Sequence, residues 1–236
     1  GNGSNVLADD AGFDGAVLHL ARGLRGFALA DGELRADAGA SLPKLSLAMA
    51  EEGVEGFEFM AGIPGTVGGA VVMNAGCLGR ETEQVLRSVT YLDESGELVT
   101  EPAERLALGF RSSAFQGRRA VIVSAVFEAR RADPEAVRER TREAAAIRRR
   151  KFPVNVATVG STFKSPPQGP HPGRLIEEAG LKGTRIGGAV ISEVHANWIV
   201  NTGGATAADV RRLIELMRET VARKLGVEME PEVLFI

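Results

Sequence analysis

The sequence holds a single cysteine, Cys77. That excludes an intramolecular disulfide framework and any multi-cysteine metal site, and Cys77 itself reads as a small buried apolar residue. Histidine is almost as scarce: His19, His171 and His195 are scattered and show no metal-ligand spacing. No apolar run is long enough to cross a bilayer and no signal peptide is visible, so the expectation is a cytoplasmic protein. A large excess of charge of one sign is missing too. The net charge of -3 argues against nucleic-acid binding by the whole surface. There is no internal repeat, no low-complexity tract and no heptad pattern. Also missing is a strand ahead of Gly1-Asn2-Gly3-Ser4-Asn5, a tight-turn sequence of the kind that normally follows one, so an N-terminal segment completing a small domain is expected outside this chain.

What is present is enough for real cores: 44% of the 236 residues are apolar and 25% charged. The length allows one large domain or two to three small ones. The stretch that organises the chain is Gly62-Ile63-Pro64-Gly65-Thr66-Val67-Gly68-Gly69-Ala70, running on to Asn74-Ala75-Gly76. Such a density of glycine, with a proline, suits neither a helix interior nor a regular strand. It suits exposed backbone N–H groups and close approach by another molecule, which a pyrophosphate needs. No charge lies between Gly62 and Gly79, so an anion here would rest on backbone dipoles and the Thr66 hydroxyl. The other reading is a plain connector between two elements. Neither the Gly-Lys-Ser/Thr ending of a P-loop nor Gly-x-Gly-x-x-Gly spacing is present.

Residues 13–20 and 26–40 read as short strands, the latter broken at Asp31-Gly32. Ser41 is placed to cap a helix over 42–52, with Pro43 in its first turn and Gly53 stopping it. Residues 85–92 and 98–100 read as a hairpin turned by Glu94-Ser95-Gly96-Glu97, and 120–127 as a buried strand. Asp133-Pro134-Glu135 starts a helix that Pro153 stops. Its end, Arg148-Arg149-Arg150-Lys151, has two readings: charge complementing the helix dipole, or a phosphate contact. Further on come a short helix over 174–179, a strand pair at 189–191 and 198–200, and a long helix capped by Thr206 and closed by Gly226. Val210, Leu213, Ile214, Met217, Val221 and Leu225 form that helix's apolar stripe. Residues 228–236 read as a terminal strand. Hairpins and irregular alternation of strand and helix indicate an α+β fold with mixed sheets, not a doubly wound parallel sheet.

Three polar spots stand against apolar or glycine-rich surroundings. In Phe110-Arg111-Ser112-Ser113-Ala114-Phe115, an arginine between aromatics either covers a ring at the surface or stacks while offering its fork to a carboxylate. In Gly160-Ser161-Thr162-Phe163-Lys164-Ser165-Pro166, Ser161 is either a turn residue or a proton donor. It is not the Gly-x-Ser-x-Gly elbow of hydrolases, and no histidine relay is suggested nearby. In Glu230-Pro231-Glu232-Val233-Leu234-Phe235, alternation puts Glu230 and Glu232 on one face, away from Val233 and Phe235. They mark either an exposed edge or carboxylates that burial would require to be paired or protonated.

Taken in order, these stretches resemble the UDP-N-acetylenolpyruvoylglucosamine reductases of bacterial cell-wall synthesis. The matching pieces are Gly1 to Leu7, Ala61 to Ala70 with Asn74-Ala75-Gly76, Phe110-Arg111-Ser112-Ser113, Gly160-Ser161-Thr162-Phe163-Lys164, His195-Ala196-Asn197-Trp198-Ile199-Val200-Asn201 and Glu230-Pro231-Glu232-Val233. The resemblance implies noncovalent FAD held in a two-domain core with mixed sheets, and a separate α+β substrate domain. It implies NADPH as reductant, a UDP-sugar as substrate and a place in peptidoglycan synthesis. It implies that Gly1, Asn2, Gly3, Ser4 and Asn5, together with Ala61, Gly62, Ile63, Pro64, Gly65, Thr66, Gly68, Gly69, Ala70, Asn74 and Gly76, cradle the FAD pyrophosphate. Arg111, Ser161 and Glu232 match catalytic positions, and Lys151, Lys164 and Ser165 substrate-contacting ones, with Ser165 standing where some members carry asparagine. The only tyrosine is Tyr91, so the chain is similar to the subgroup without a substrate-closing tyrosine loop. The implied division is 1–10 with 228–236 as part of a first FAD domain, 11–152 as a second, and 153–227 as the substrate domain. Two other readings were weighed against this one: an FAD-dependent alcohol or hydroxy-acid oxidase of the same broad fold, and a non-catalytic nucleotide-sugar binding module.

Overall fold

A computed structural model describes residues 1–153, 156–165 and 168–236; Pro166 of the serine motif lies outside the described residues. The chain divides into two compact units: Gly1–Asn2 with Leu18–Arg148, and Gly3–Val17 with Arg149–Ile236.

The first unit is built on a five-stranded antiparallel sheet. In spatial order its strands are Phe27–Ala30, Glu33–Asp37, Val121–Glu128, Leu86–Leu92 and Leu98–Pro102. The near-continuous apolar run Val121–Glu128 takes the centre, where both neighbours must be paired and both faces covered. Asp31 and Gly32, both at positive φ, close the first hairpin, as the Asp-Gly pair predicts. The helices Leu42–Glu51 and Val67–Val72 contribute Leu42, Leu45, Met49, Val67 and Val71 to a core shared with Leu34, Phe57, Met60, Val89 and Phe127. The Phe57 and Phe127 rings meet edge to face at 5.9 Å.

The second unit packs the helices Pro172–Glu178 and Ala207–Leu225 with a four-stranded antiparallel sheet ordered Thr158–Ser161, Trp198–Asn201, Ala189–Ile191, Arg185–Ile186. The predicted stripe supplies the core through Val210, Leu213, Ile214, Met217 and Val221, packed with Ile176, Ile191 and Ile199. The long helix starts at a reciprocal capping box between Thr206 and Asp209, and the Asp10 carboxylate takes the Ala207 and Ala208 amides at 2.6 and 2.9 Å. Val6–Leu7 and Leu234–Phe235 pair in parallel, so both strand directions occur in the protein.

Several local expectations give way. Residues 13–20 form no strand: Gly12 sits at φ 87°, the Gly15 amide turns back onto the Phe13 carbonyl, and Val17 and Leu18 lie open to solvent with no sheet edge to join. Ser41 precedes its helix in extended conformation, yet its side chain makes no capping bond. Pro43, at the second helical position, has no N–H to offer it, and the Leu42 amide donates to the Gly65 carbonyl. The glycine run does enter a helix, since Gly68 and Gly69 lie inside Val67–Val72. Gly68 is needed there because a Cβ would stand 3.0 Å from the Ala38 Cβ and 3.2 Å from its carbonyl oxygen. Cys77 is half-buried, with Arg148 Nη1 4.0 Å from its sulfur. The terminal strand shrinks to Leu234–Phe235 because Pro231 has no N–H to place in a ladder.

Candidate active-site segments

In the first unit the glycine run is tied down by its own backbone. The Leu42 amide bonds the Gly65 carbonyl, the Val67 amide the Ala40 carbonyl, and the Gly68 amide the Ala38 carbonyl. The Gly65, Val67, Gly68 and Ala70 amides are thus used internally, which narrows what the run can offer an anion. What remains in the run's turn is the Thr66 hydroxyl. Thr66 is 2% exposed, and its Oγ1 has no hydrogen-bond partner among the described residues. Around Gly69 the nearest atom to a hypothetical Cβ is that same Oγ1, at 3.8 Å. At Gly1 it is again Thr66 Oγ1, at 3.0 Å. A charge that the linear sequence does not place here also arrives: the Arg148 side chain lies over Gly62, its Cγ 2.6 Å from where a Cβ would be.

Arg111 belongs to the same unit. It sits at φ 53° in a tight turn closed by reciprocal Gly109 and Ser112 backbone bonds, and its guanidinium carbon stacks 4.7 Å from the Phe110 ring centroid. Nη1 donates to Glu81 Oε1 and Nη2 to the Gly76 carbonyl, both at 3.2 Å. Both sequence readings of Arg111 are therefore partly met: it does cover a ring, and its fork is held in one plane. Asn74, wholly buried at φ 40°, donates to Glu81 Oε2 and to the Gly109 carbonyl and accepts from the Glu83 amide. Glu81 escaped the sequence reading; its signal was only its distance of a few residues from Asn74.

In the second unit Ser161 ends the Thr158–Ser161 strand, opposite Trp198. The chain then continues beside the C-terminal segment. Phe163 pairs with Pro231, the Lys164 amide donates to the Glu230 carbonyl, and the Glu232 amide donates to the Thr162 carbonyl, each at 2.9 Å. These bonds flank Pro231, the one position that cannot donate, and set Glu232 beside the serine segment. Asn197, 1% exposed, bonds both main-chain groups of Phe163, while its own carbonyl takes the Thr162 amide. The Asn5 side-chain amide donates to the Glu232 carbonyl at 3.0 Å, and the Ser4 carbonyl lies 3.1 Å from where a Cβ on Gly160 would stand. Gly160 itself is at φ 75°. Asn5 thus braces the carboxylate segment, and Ser4 lies against Gly160, within this unit.

The two terminal glutamates diverge. Glu230 is exposed and pairs with Lys164 Nζ at 2.7 Å, whereas Glu232 is half-buried. Val233 is buried, whereas Phe235 is exposed beneath the Arg211 guanidinium at 4.4 Å. Lys151 is the last residue of the Pro134–Lys151 helix and is exposed. Ser165 Oγ lies 3.3 Å from His171 Nε2, and His171 Nδ1 accepts the Gly173 amide at 3.1 Å. Burial pushes the His171 imidazole below the usual histidine value, which keeps that acceptor available. Of the residues singled out, Arg111, Gly1, Asn2 and the 61–76 stretch lie in the first unit. Gly3, Ser4, Asn5, Lys151, Ser161, Lys164, Ser165 and Glu232 lie in the second.

Comparison with known proteins gives the class, an FAD-binding protein with an α+β fold. A family model described as FAD binding domain matches residues 1–101, and one described as UDP-N-acetylenolpyruvoylglucosamine reductase, C-terminal domain, matches residues 152–236. A UDP-N-acetylenolpyruvoylglucosamine reductase of Rubrobacter xylanophilus is 48% identical over 99% of this chain and 78% of its own length. One of Heliobacterium modesticaldum is 42% identical over 100% of this chain and 75% of its own. The crystal structure of UDP-N-acetylenolpyruvylglucosamine reductase from Thermus caldophilus superposes with a TM-score of 0.75 at 34% identity, covering 88% of this chain and 74% of that one. The chain belongs to the UDP-N-acetylenolpyruvoylglucosamine reductase family.

Proposed function

We propose that this protein reduces the enolpyruvyl group of UDP-N-acetylglucosamine enolpyruvate to the lactyl ether of UDP-N-acetylmuramate, using NADPH and noncovalent FAD, as a cytoplasmic step of peptidoglycan synthesis. The observation that carries the reading is similarity at 48% identity, over 99% of this chain, to a protein of that name. Among the described residues no helix is long and apolar enough to cross a membrane.

The residues fit a phosphate-bearing flavin cofactor. Thr66 carries a buried hydroxyl with no partner among the described residues, beside glycines whose lack of side chains leaves space. Burying such a hydroxyl unpaired costs about 1–3 kcal/mol, a cost that a phosphate oxygen accepting from it would offset. Gly1 to Asn5 and 61–76 are the segments assigned to holding FAD. When bound, FAD supplies the hydride chemistry that links NADPH to the enol ether.

The remaining chemistry falls to side chains. Adding hydride to one alkene carbon pushes the electron pair onto the carbon bearing the carboxylate. A planar guanidinium suits that enolate-like dianion because its two edges match a carboxylate. Arg111 takes this role together with Glu232, which contributes when it holds or shares a proton. One placed donor is typically worth about 10²–10³ in rate. Ser161 delivers the proton to that same carbon, completing the lactyl ether. Lys151, Lys164 and Ser165 are assigned to the UDP-sugar, with Lys164 held by Glu230 at 2.7 Å and Ser165 beside His171.

One spectroscopic experiment tests the reading. The purified protein is expected to show oxidised flavin absorbance that NADPH bleaches and that the enolpyruvyl UDP-sugar restores anaerobically. Bleaching without restoration by that substrate, or a protein that takes up no FAD, overturns it.

A further inference from the structure

We propose that Glu81 is a positioning residue for Arg111, acting through a hydrogen-bonded ring that fixes the plane of the guanidinium. The inference rests on the reading of Arg111 given above and deepens it.

Gly76–Cys77 and Arg80–Glu81 form a two-residue hairpin in which Gly76 faces Glu81, and the turn uses Leu78 at φ 55° and Gly79 at φ 77°. Consecutive positive φ angles give the tight turn whose twist matches its strands. Across this hairpin, one strand presents a carbonyl and the other a carboxylate. Arg111 reaches both, Nη2 to the Gly76 carbonyl and Nη1 to Glu81 Oε1. The second carboxylate oxygen is gripped by Asn74, whose same amide nitrogen also donates to Gly109 at the foot of the Arg111 turn. The ring therefore closes: Arg111 to Glu81, Glu81 to Asn74, Asn74 to Gly109, and along the chain back to Arg111.

An exposed ion pair is worth little because both side chains lose freedom in making it. Here that freedom is already lost. The Glu81 side chain is only 21% exposed and braced by a buried asparagine, and the Arg111 side chain is 17% exposed and stacked on Phe110. A left-handed arginine on a turn would otherwise swing with its backbone. The two acceptors hold the fork's orientation before substrate arrives, and misplacement of a reacting contact by about 1 Å can cost roughly 10²-fold.

The test is a double-mutant cycle on the full-length holoenzyme, read by stopped-flow. Glu81→Ala is expected to slow flavin reoxidation by the enolpyruvyl UDP-sugar roughly 10–100-fold, and Glu81→Gln less, because an amide oxygen still accepts from Arg111. Flavin reduction by NADPH should stay within about twofold of wild type, and adding Glu81→Ala to Arg111→Ala should change reoxidation no further. Equal losses in both half-reactions, or the same loss from Glu81→Ala in both backgrounds, overturn the proposal. If Glu81→Ala does not fold, Glu81→Gln carries the same comparison. Wild-type reoxidation by Arg111→Ala would overturn the role of Arg111 itself, whereas slow Arg111→Ala with fast Glu81→Ala overturns only the role of Glu81.

Discussion

The two units hold their reactive side chains by different means. In the first, Arg111 stands on a turn at φ 53°, and side chains fix it: a ring beneath, a carboxylate and a carbonyl at its edges, a buried asparagine behind. In the second, main-chain bonds set the segments that carry Ser161 and Glu232. Backbone bonds join 162–164 to 230–232, and Asn197 and Asn5 fasten the ends of that short ladder. The difference follows from the groups held. A guanidinium lies several rotatable bonds from its backbone, so the backbone alone cannot aim it. A serine hydroxyl is one bond from Cβ, so placing the strand nearly places the oxygen.

The sharpest way to break the comparison is Ser161→Ala. It removes one atom from a segment whose position is set by backbone bonds, so the fold should be untouched. Turnover of the enolpyruvyl substrate should fall about 10²–10⁴-fold while NADPH still bleaches the flavin. Loss of both half-reactions would mean that the serine does more than donate a proton. Next in size is Asn197→Ala. It strips the bonds from both the N–H and the C=O of buried Phe163, and urea unfolding should show roughly 2–4 kcal/mol lost. A loss below about 1 kcal/mol would mean that the ladder does not depend on its asparagine fastener. The smallest effect is expected from Thr66→Val in the first unit. Replacing an unpartnered buried hydroxyl by a methyl should leave the flavin-free protein as stable as before or slightly more so. Flavin binding, followed by fluorescence quenching, should weaken roughly 5–10-fold. Unchanged flavin affinity would remove Thr66 from the cofactor site.

Much of this was legible beforehand, for stated reasons. The central strand over 121–128 showed as an apolar run, the Asp31-Gly32 hairpin as a turn pair, and the 207–225 helix as a stripe with its cap and stop. Each is a local signal in which backbone preference and burial agree. The misreadings have separate causes. Residues 13–20 looked like a short strand, but the Gly15 amide turns back onto the Phe13 carbonyl and Val17 and Leu18 lie open to solvent. Gly68 sits in a helix despite its propensity because Ala38 leaves no room for a larger residue. Ser41 had the right residue type for a cap, but Pro43 at the second helical position has no N–H for its hydroxyl to accept. At Gly68 a neighbour distant in the chain outweighed a local preference worth about 1 kcal/mol.

The candidate site divides along the same line. Sequence by itself determined the family, and its short motifs supplied Arg111, Ser161 and Glu232 as the proposed reactive groups. Only the tertiary structure decided what holds them: Glu81 and Asn74 around the arginine, Asn197 and Asn5 beside the serine and the carboxylate, and the Arg148 stem over Gly62. A reactive group is named by its own chemistry, which one residue carries. Its orientation depends on hydrogen-bond partners up to 227 positions away, and no local pattern encodes a distance of that kind.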